Sequence, residues 1–126
     1  MDKVSIRRHV TKGEDGAERY IYTRAWFKCP GCGHYHGYTI ELGSGEQGPV
    51  WTFNGNLESP TFSPSLRTWY NLADPNIPHY QCHFFVTDGV IRFCGDCVSD
   101  GKPAPWNGKI IPLPDLDPDS WLSKAE

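Results

Sequence analysis

Two cysteine motifs constrain this chain most. Cys29-Pro30-Gly31-Cys32 and Cys94-Gly95-Asp96-Cys97 each separate two thiols by two residues, and they lie far apart in the sequence. A two-residue gap with a tight turn lets two thiolates converge on one ion, and Zn²⁺ prefers a tetrahedral set of sulfur and nitrogen ligands. No helix-favouring sequence follows Cys32, so metal binding is favoured over a thioredoxin-like redox role. The motifs predict one structural zinc ion that joins distant parts of the chain.

The composition predicts a small, mainly β protein. A length of 126 residues fits one domain, and 13 glycines and 11 prolines indicate many turns. We expect a single domain over 1–126, built of antiparallel hairpins around a zinc-ribbon-like metal site, with 1–18 and 115–126 peripheral. Long helices are not expected, and 120–124 is predicted to form one helical turn at most.

Runs of β-branched and aromatic residues, bounded by turn residues, locate the strands. Residues 4–10 and 19–27 predict a hairpin that leads directly into Cys29. Residues 38–42 predict a strand that follows the first cysteine motif, which is called the first knuckle below. Two prolines restrict 60–66 to an irregular, extended segment.

The clearest hairpin joins 79–87 to 90–94 through Asp88-Gly89, a strong two-residue turn signal. Counting back from this turn places His83 opposite Cys94, and Cys97 opposite Tyr80. Because side chains alternate between the faces of a strand, two groups of residues result: His83, Cys94 and Asp96 share one face, and Cys82 and Cys97 share the other.

Three sets of zinc ligands fit these patterns, and all contain Cys29 and Cys32. The two-knuckle set adds Cys94 and Cys97. The hairpin register offers Cys82 with Cys97, and a third set takes a nitrogen ligand from His36 or His83.

Other residues suggest a core and a polar pocket. Eight aromatic side chains predict the core: Trp26, Trp51, Phe53, Phe62, Trp69, Phe84, Phe85 and Phe93. A polar pocket is predicted from Asn54, Ser63, Ser65, His83 and Asp96. The sequence contains no Gly-x-Ser-x-Gly, deaminase or His-Glu-x-x-His motif, so no named chemistry is predicted. His83 and Asp96 are the candidate catalytic residues.

Charge and hydropathy limit the classes of binding partner and the cellular compartment that we expect. The 15 acidic and 12 basic residues give a net charge of -3, which makes nucleic acid an improbable partner. No apolar run of about 18 residues and no signal-peptide pattern is present, which predicts a cytoplasmic protein without a membrane segment. Five cysteines in such a reducing compartment favour metal thiolates over disulfides.

Several blocks of the chain together resemble a known family. They are Cys-Pro-Gly-Cys-x-x-x-His at 29–36, Trp-Thr-Phe-Asn-Gly-Asn at 51–56, Pro-Thr-Phe-Ser-Pro-Ser at 60–65 and Cys-His-Phe-Phe-Val-Thr-Asp-Gly-Val-Ile at 82–91. This combination resembles small zinc-binding phage and prophage proteins of unknown function, some of which carry a misleading ammonia monooxygenase label. The resemblance covers about 26–113. The matching positions are Cys29, Cys32, His36, Asn54, Pro60, Ser63, Pro64, Ser65, Cys82, His83, Asp96 and Cys97.

The resemblance implies a zinc site and a phage setting. Its pattern does not require a cysteine at position 94, which implies the ligand set Cys29, Cys32, Cys82 and Cys97. The knuckle, the Ser-Pro-Ser segment and the His-aromatic strand also resemble, more distantly, a bacterial domain found near ubiquitin-like conjugation genes. That likeness implies a protein partner and favours His83 as a ligand.

Two functional hypotheses follow. The first is a phage-encoded, zinc-stabilised protein-interaction module that acts on a host or phage protein in the host cytoplasm during infection. The alternative is a small zinc-dependent hydrolase that uses His83, with Asp96 or Asp88 as general base and water as the fourth zinc ligand.

Overall fold

Short antiparallel strands make up the regular structure of the chain. The computed structural model describes residues 1–70 and 80–117, and it confirms the predicted all-β, antiparallel class, with no α-helix in those ranges. His79 and the helical turn predicted at 120–124 lie outside the described residues. None of the described residues forms a helix with the length and apolarity that a membrane span requires. The strands are β1 (Ser5–Lys12), β2 (Glu18–Lys28), β3 (Tyr35–Leu42), β4 (Thr52–Phe53), β5 (Phe62–Ser63), β6 (Leu66–Tyr70), β7 (Tyr80–Thr87), β8 (Val90–Phe93), β9 (Val98–Ser99), β10 (Lys102–Pro103) and β11 (Ile110–Pro112).

The first sheet has the order β1-β2-β3, and both pairings are antiparallel. Alternation along β2 buries Thr23, Ala25 and Phe27 on one face, as expected for a sheet with one face against the core. The predicted N-terminal hairpin is confirmed. The first cysteine knuckle forms the connection between β2 and β3.

The second sheet has the order β10-β9-β7-β8-β11, and β6 also pairs with β7. The predicted β7–β8 hairpin is confirmed, with Asp88 at φ 49° and Gly89 at φ 77°. Both residues occupy the left-handed region that this turn requires. A separate two-stranded sheet pairs β4 with β5.

The register predicted beyond β8 is wrong. Phe84 pairs with Phe93 as expected, but Gln81 pairs with Val98, so Cys97 does not lie opposite Tyr80. Continuing the β7–β8 register would place Asp96 opposite Gln81. The turn after Cys94 takes up the two additional residues before β9 returns to β7.

The core lies between the two larger sheets. The Phe27 ring of β2 meets Phe84 of β7 edge-on, with 5.9 Å between the ring centroids, and it also packs against Tyr38 and Phe62. Of the predicted core aromatics, Phe62, Phe84 and Phe93 are buried, and Trp51 and Phe53 pack partly buried against them. The prediction is wrong for Trp69 and Phe85, which are 50% and 39% exposed. Strand alternation places both side chains on the outer face.

Candidate functional site

Four potential metal ligands converge at the first knuckle. The Sγ atoms of Cys29, Cys32 and Cys82 and a ring nitrogen of His36 all lie within 4.8 Å of one another. The knuckle supplies two ligands, β3 supplies His36, and β7 supplies Cys82 from the other sheet. This cluster therefore links the two sheets.

The knuckle is a tight turn fixed by backbone hydrogen bonds. The Cys29 N–H donates to the His34 carbonyl and the Gly33 N–H donates to the Cys29 carbonyl, both at 2.9 Å. Gly33 has φ 78°, which L side chains rarely adopt. A Cβ at Gly31 would lie 2.8 Å from the Trp106 ring. These glycines let the chain turn sharply enough for both thiols to face inward.

The cluster is buried, and its side chains interact with one another. Cys29, His36 and Cys82 are at most 4% exposed, and Cys32 Sγ lies 3.3 Å from His36 Nε2. Hydrogen bonding with Cys32 raises the pKa of Cys29 to about 12, whereas hydrogen bonds from Cys29 and Cys82 lower the pKa of Cys32. Three sulfurs and one imidazole form a common zinc ligand set, so the donors fit a transition metal.

The structure brings together three of the four predicted ligands, and the fourth lies elsewhere. Cys29, Cys32 and Cys82 meet, but Cys97 belongs to neither cluster of metal-binding side chains in the described residues. Its buried Sγ lies 3.4 Å from both the N–H and the carbonyl oxygen of His83, and 3.6 Å from the Cys94 carbonyl. Cys97 thus ties the turn at 94–97 to β7. His36, one of the nitrogen ligands considered from the sequence, completes the cluster.

A second group of polar side chains surrounds His83. Its Nε2 lies 3.2 Å from Ser65 Oγ, and its Nδ1 lies 3.0 Å from both carboxylate oxygens of Asp96. A carboxylate only accepts hydrogen bonds, so Nδ1 carries the proton that is donated to Asp96. Nε2 is then free to accept the hydrogen bond that the Ser65 hydroxyl donates.

Neighbouring strands hold these three residues in place. Ser65 immediately precedes β6, and its carbonyl accepts a 3.1 Å hydrogen bond from the Trp51 indole N–H. β6 pairs with β7, which places Arg67 directly beside His83. The Gln81 amide donates to the Asp96 carbonyl at 2.8 Å. Backbone pairing and side-chain bonds thus fix all three partners.

The arrangement is that of an activated nucleophile. A serine hydroxyl contacts an imidazole base, and a carboxylate orients that base, which are the three roles required for acyl transfer. The His83 side chain is 26% exposed and that of Asp96 is 56% exposed, so substrate can reach the group from solvent.

The sequence analysis placed Ser65, His83 and Asp96 in one polar pocket, but it did not single out Ser65 as a partner of His83. Serine triads share geometry and no common spacing, so the contact between Ser65 and His83 becomes visible only through the pairing of β6 with β7. Two other predicted pocket residues lie apart from His83: the Asn54 amide donates to the Ser59 carbonyl, and exposed Ser63 pairs with Thr52. Asp88 occupies the hairpin turn, where its N–H donates to Thr61 Oγ1.

An open cavity of about 420 Å³ lies between β2, β3 and β6. Trp51, whose indole N–H donates to the Ser65 carbonyl, and Arg67, two residues after Ser65, line it together with Tyr22 and Arg24 of β2 and exposed Trp69. The cavity is large enough for several side chains of a peptide.

Comparison with known proteins gives one family. The family model described as "Bacterial ubiquitination-like system serine protease (BubE)" matches residues 4–94. This range contains Ser65, His83 and the metal cluster, whereas Asp96 lies just beyond its end. No curated protein and no solved structure matches the chain. The family model covers well over half of the sequence, and the chain belongs to the BubE family.

Proposed function

We propose that this chain is a serine protease whose nucleophile, base and orienting carboxylate are Ser65, His83 and Asp96. The observation that carries the proposal is the hydrogen-bonded series from Ser65 Oγ through the His83 ring to Asp96, with separations of 3.2 Å and 3.0 Å. The description of the BubE family as serine proteases supports the same chemistry.

Each residue has one task in the reaction. Ser65 Oγ attacks the carbonyl carbon of the scissile peptide bond while its proton passes to His83 Nε2. His83 then donates this proton to the departing amine nitrogen as the peptide bond breaks, which leaves an acyl ester on Ser65. Water attacks the ester with His83 again as base, and this step releases the acid product and restores the serine.

Asp96 keeps His83 in the reactive tautomer. Its carboxylate accepts a hydrogen bond from Nδ1–H and stabilises the imidazolium that forms during each proton transfer. Gln81 and the turn anchored by Cys97 hold the Asp96 backbone, so the carboxylate stays directed at Nδ1.

The proposed substrate is an extended peptide segment of a protein. The cavity between the sheets is lined by Arg67 and by Trp51, which is hydrogen-bonded to Ser65, and a peptide chain there can contact aromatic and cationic side chains. The family description places its members in a bacterial ubiquitination-like system. We therefore propose a protein of such a system as the partner and substrate.

A structural zinc ion is proposed at Cys29, Cys32, His36 and Cys82. Four protein ligands close the coordination sphere, so the ion stabilises the fold and takes no part in bond cleavage. Cys82 immediately precedes His83. The ion thus fixes the β7 segment that carries the catalytic base.

The protease proposal retains part of each sequence-based hypothesis. It needs a protein partner, and it uses His83 and Asp96 for hydrolysis with Ser65 in place of a zinc-bound water. The five cysteines are all unpaired, which supports a reducing, cytoplasmic compartment. A phage origin and a role in infection stay predictions from the resemblance.

The test is hydrolysis of a fluorogenic peptide library and of unfolded casein by the purified full chain. Ser65→Ala should abolish cleavage, while Ser63→Ala, an exposed serine two residues away, should retain it. Equal cleavage by Ser65→Ala and the parent protein would overturn the proposal.

A further inference from the structure

A second cluster of metal-binding side chains overlaps the proposed catalytic group. One ligand atom each from His83, Cys94 and Asp96 lies within 4.8 Å of the others. The Cys94 N–H donates to the His83 carbonyl at 2.9 Å, which holds the two residues side by side. The protease mechanism uses His83 and Asp96 but leaves the Cys94 thiol without a task.

We propose that His83, Cys94 and Asp96 form a regulatory site for a divalent transition metal such as Zn²⁺, and that the bound ion inactivates Ser65. The inhibitory role rests on the proposed protease function. The metal site itself rests only on the geometry of the three side chains.

The donors suit zinc in type and in number. Thiolate, imidazole and carboxylate are its three protein ligands, and three of them leave a position for water. Tetrahedral coordination needs ligand atoms about 3.5 Å apart, so side chains already within 4.8 Å require only small rotations. Cys94 and His83 are half-buried and Asp96 is exposed, so the ion can enter and leave from solvent.

Metal binding removes the base by changing the tautomer of His83. Nδ1 faces Asp96, so the ion bonds to Nδ1 in place of its proton, and the imidazole proton moves to Nε2. Nε2 then donates to Ser65 Oγ and cannot accept the serine proton. Cys94 releases its thiol proton to solvent on binding, and Asp96 binds as the carboxylate.

This site differs from the buried cluster in strength and in use. The buried cluster has four protein ligands that are mostly shielded from water, whereas this site has three ligands and a face open to solvent. A weak chelator should therefore empty the regulatory site and leave the structural ion in place.

The first measurement is a Co²⁺ titration of full-length protein dialysed against a weak chelator. We expect a further equivalent of Co²⁺ to bind with a thiolate-to-cobalt charge-transfer absorption, and both signals to be lost in Cys94→Ser and in Cys94→Ala. His9→Ala removes an exposed histidine of β1 that belongs to neither cluster, and this variant should bind cobalt as the parent does. Unchanged cobalt binding and absorption in both Cys94 variants would overturn the metal site.

The second measurement is the rate at which a fluorophosphonate labels Ser65 with and without Zn²⁺, each variant being compared with its own metal-free rate. At free Zn²⁺ about ten times the measured Kd, the parent rate should fall about tenfold by mass action, and that of Cys94→Ser should not. Faster labelling with Zn²⁺, or equal loss in Cys94→Ser, would overturn the inhibitory role. No labelling of metal-free protein would refute the protease and its regulation, while the cobalt titration would still decide the metal site.

Discussion

Replacement of Asp96 by Asn tests whether this carboxylate sets the tautomer of the His83 imidazole. Both Asp96 oxygens lie 3.0 Å from His83 Nδ1, and an amide can present its NH₂ group there instead. The imidazole would then place its proton on Nε2, which faces Ser65. Loss of a charge-assisted hydrogen bond alone costs about 1.5–3 kcal/mol, or about 10- to 150-fold in rate.

The full tautomer effect reaches about 10⁴-fold in serine proteases whose carboxylate is buried. Here the Asp96 side chain is 56% exposed, so water replaces part of the lost interaction. We expect kcat/KM for peptide cleavage to fall about 10²- to 10³-fold, mostly through kcat, because the interaction strengthens in the transition state. The melting temperature should change little, since exposed ion pairs contribute little to stability.

The assay compares Asp96→Asn with Asp100→Asn under saturating and limiting peptide. Asp100 is a nearby exposed carboxylate that accepts a hydrogen bond from Tyr80 and does not contact His83, so its variant should keep the parent rate. Activity of Asp96→Asn within threefold of the parent would refute the role given to this carboxylate.

Three further predictions concern stability and metal content. Phe27→Ala should lower the free energy of unfolding by about 3–5 kcal/mol in urea titrations, because Phe27 is fully buried against three other rings. Phe85→Ala, at an exposed position, should change this free energy by less than about 0.5 kcal/mol. Elemental analysis should find the structural zinc missing from Cys82→Ser and retained in Cys97→Ser; loss in both variants would favour the sequence-based ligand set. Acidification should release this zinc and lower the melting temperature, because protons compete with the metal for the thiolates and the imidazole. A melting temperature that depends neither on pH nor on chelator would contradict a structural role of the ion.

The proposed metal ligand Cys82 and the proposed base His83 are consecutive residues of β7. Cys82 points into the buried cluster, and the next residue, His83, points toward Ser65, because successive side chains alternate across the strand. A structural zinc ion at Cys82 would therefore restrain the base without contacting the reaction.

Local signals were sufficient to predict β1, β2, β3, β7 and β8 and the two hairpins that they form, but not β6 or the short strands β9 to β11. Asp88-Gly89 specified the β7–β8 turn and its register, and alternation from that turn placed His83, Cys94 and Asp96 together. The register failed after Cys94, because the prediction continued the strand pairing through Gly95-Asp96, whereas the chain turns there and takes up two residues. Trp69 and Phe85 were misplaced because aromatic content does not specify which face of a strand is covered.

The site depended on contacts that spacing does not encode. Cys97 shares a motif with Cys94, yet it turns toward the His83 backbone, while His36 reaches the buried cluster because β3 pairs with β2 beside the knuckle. Ser65 meets His83 because β6 lies against β7, a pairing between segments separated by residues with no clear strand pattern. Tertiary pairing thus determines which side chains meet in the buried cluster and around His83.

The most direct test of the central claim is covalent labelling of the full-length protein with a fluorophosphonate, with the adduct located by peptide mass spectrometry. We predict a single adduct on Ser65 that is absent in Ser65→Ala, strongly slowed in His83→Ala and retained in Ser63→Ala. Two results would contradict the assignment of Ser65 as a nucleophile activated by His83. One is absence of labelling in folded protein whose proposed regulatory site has been emptied of metal, and the other is labelling that persists in Ser65→Ala.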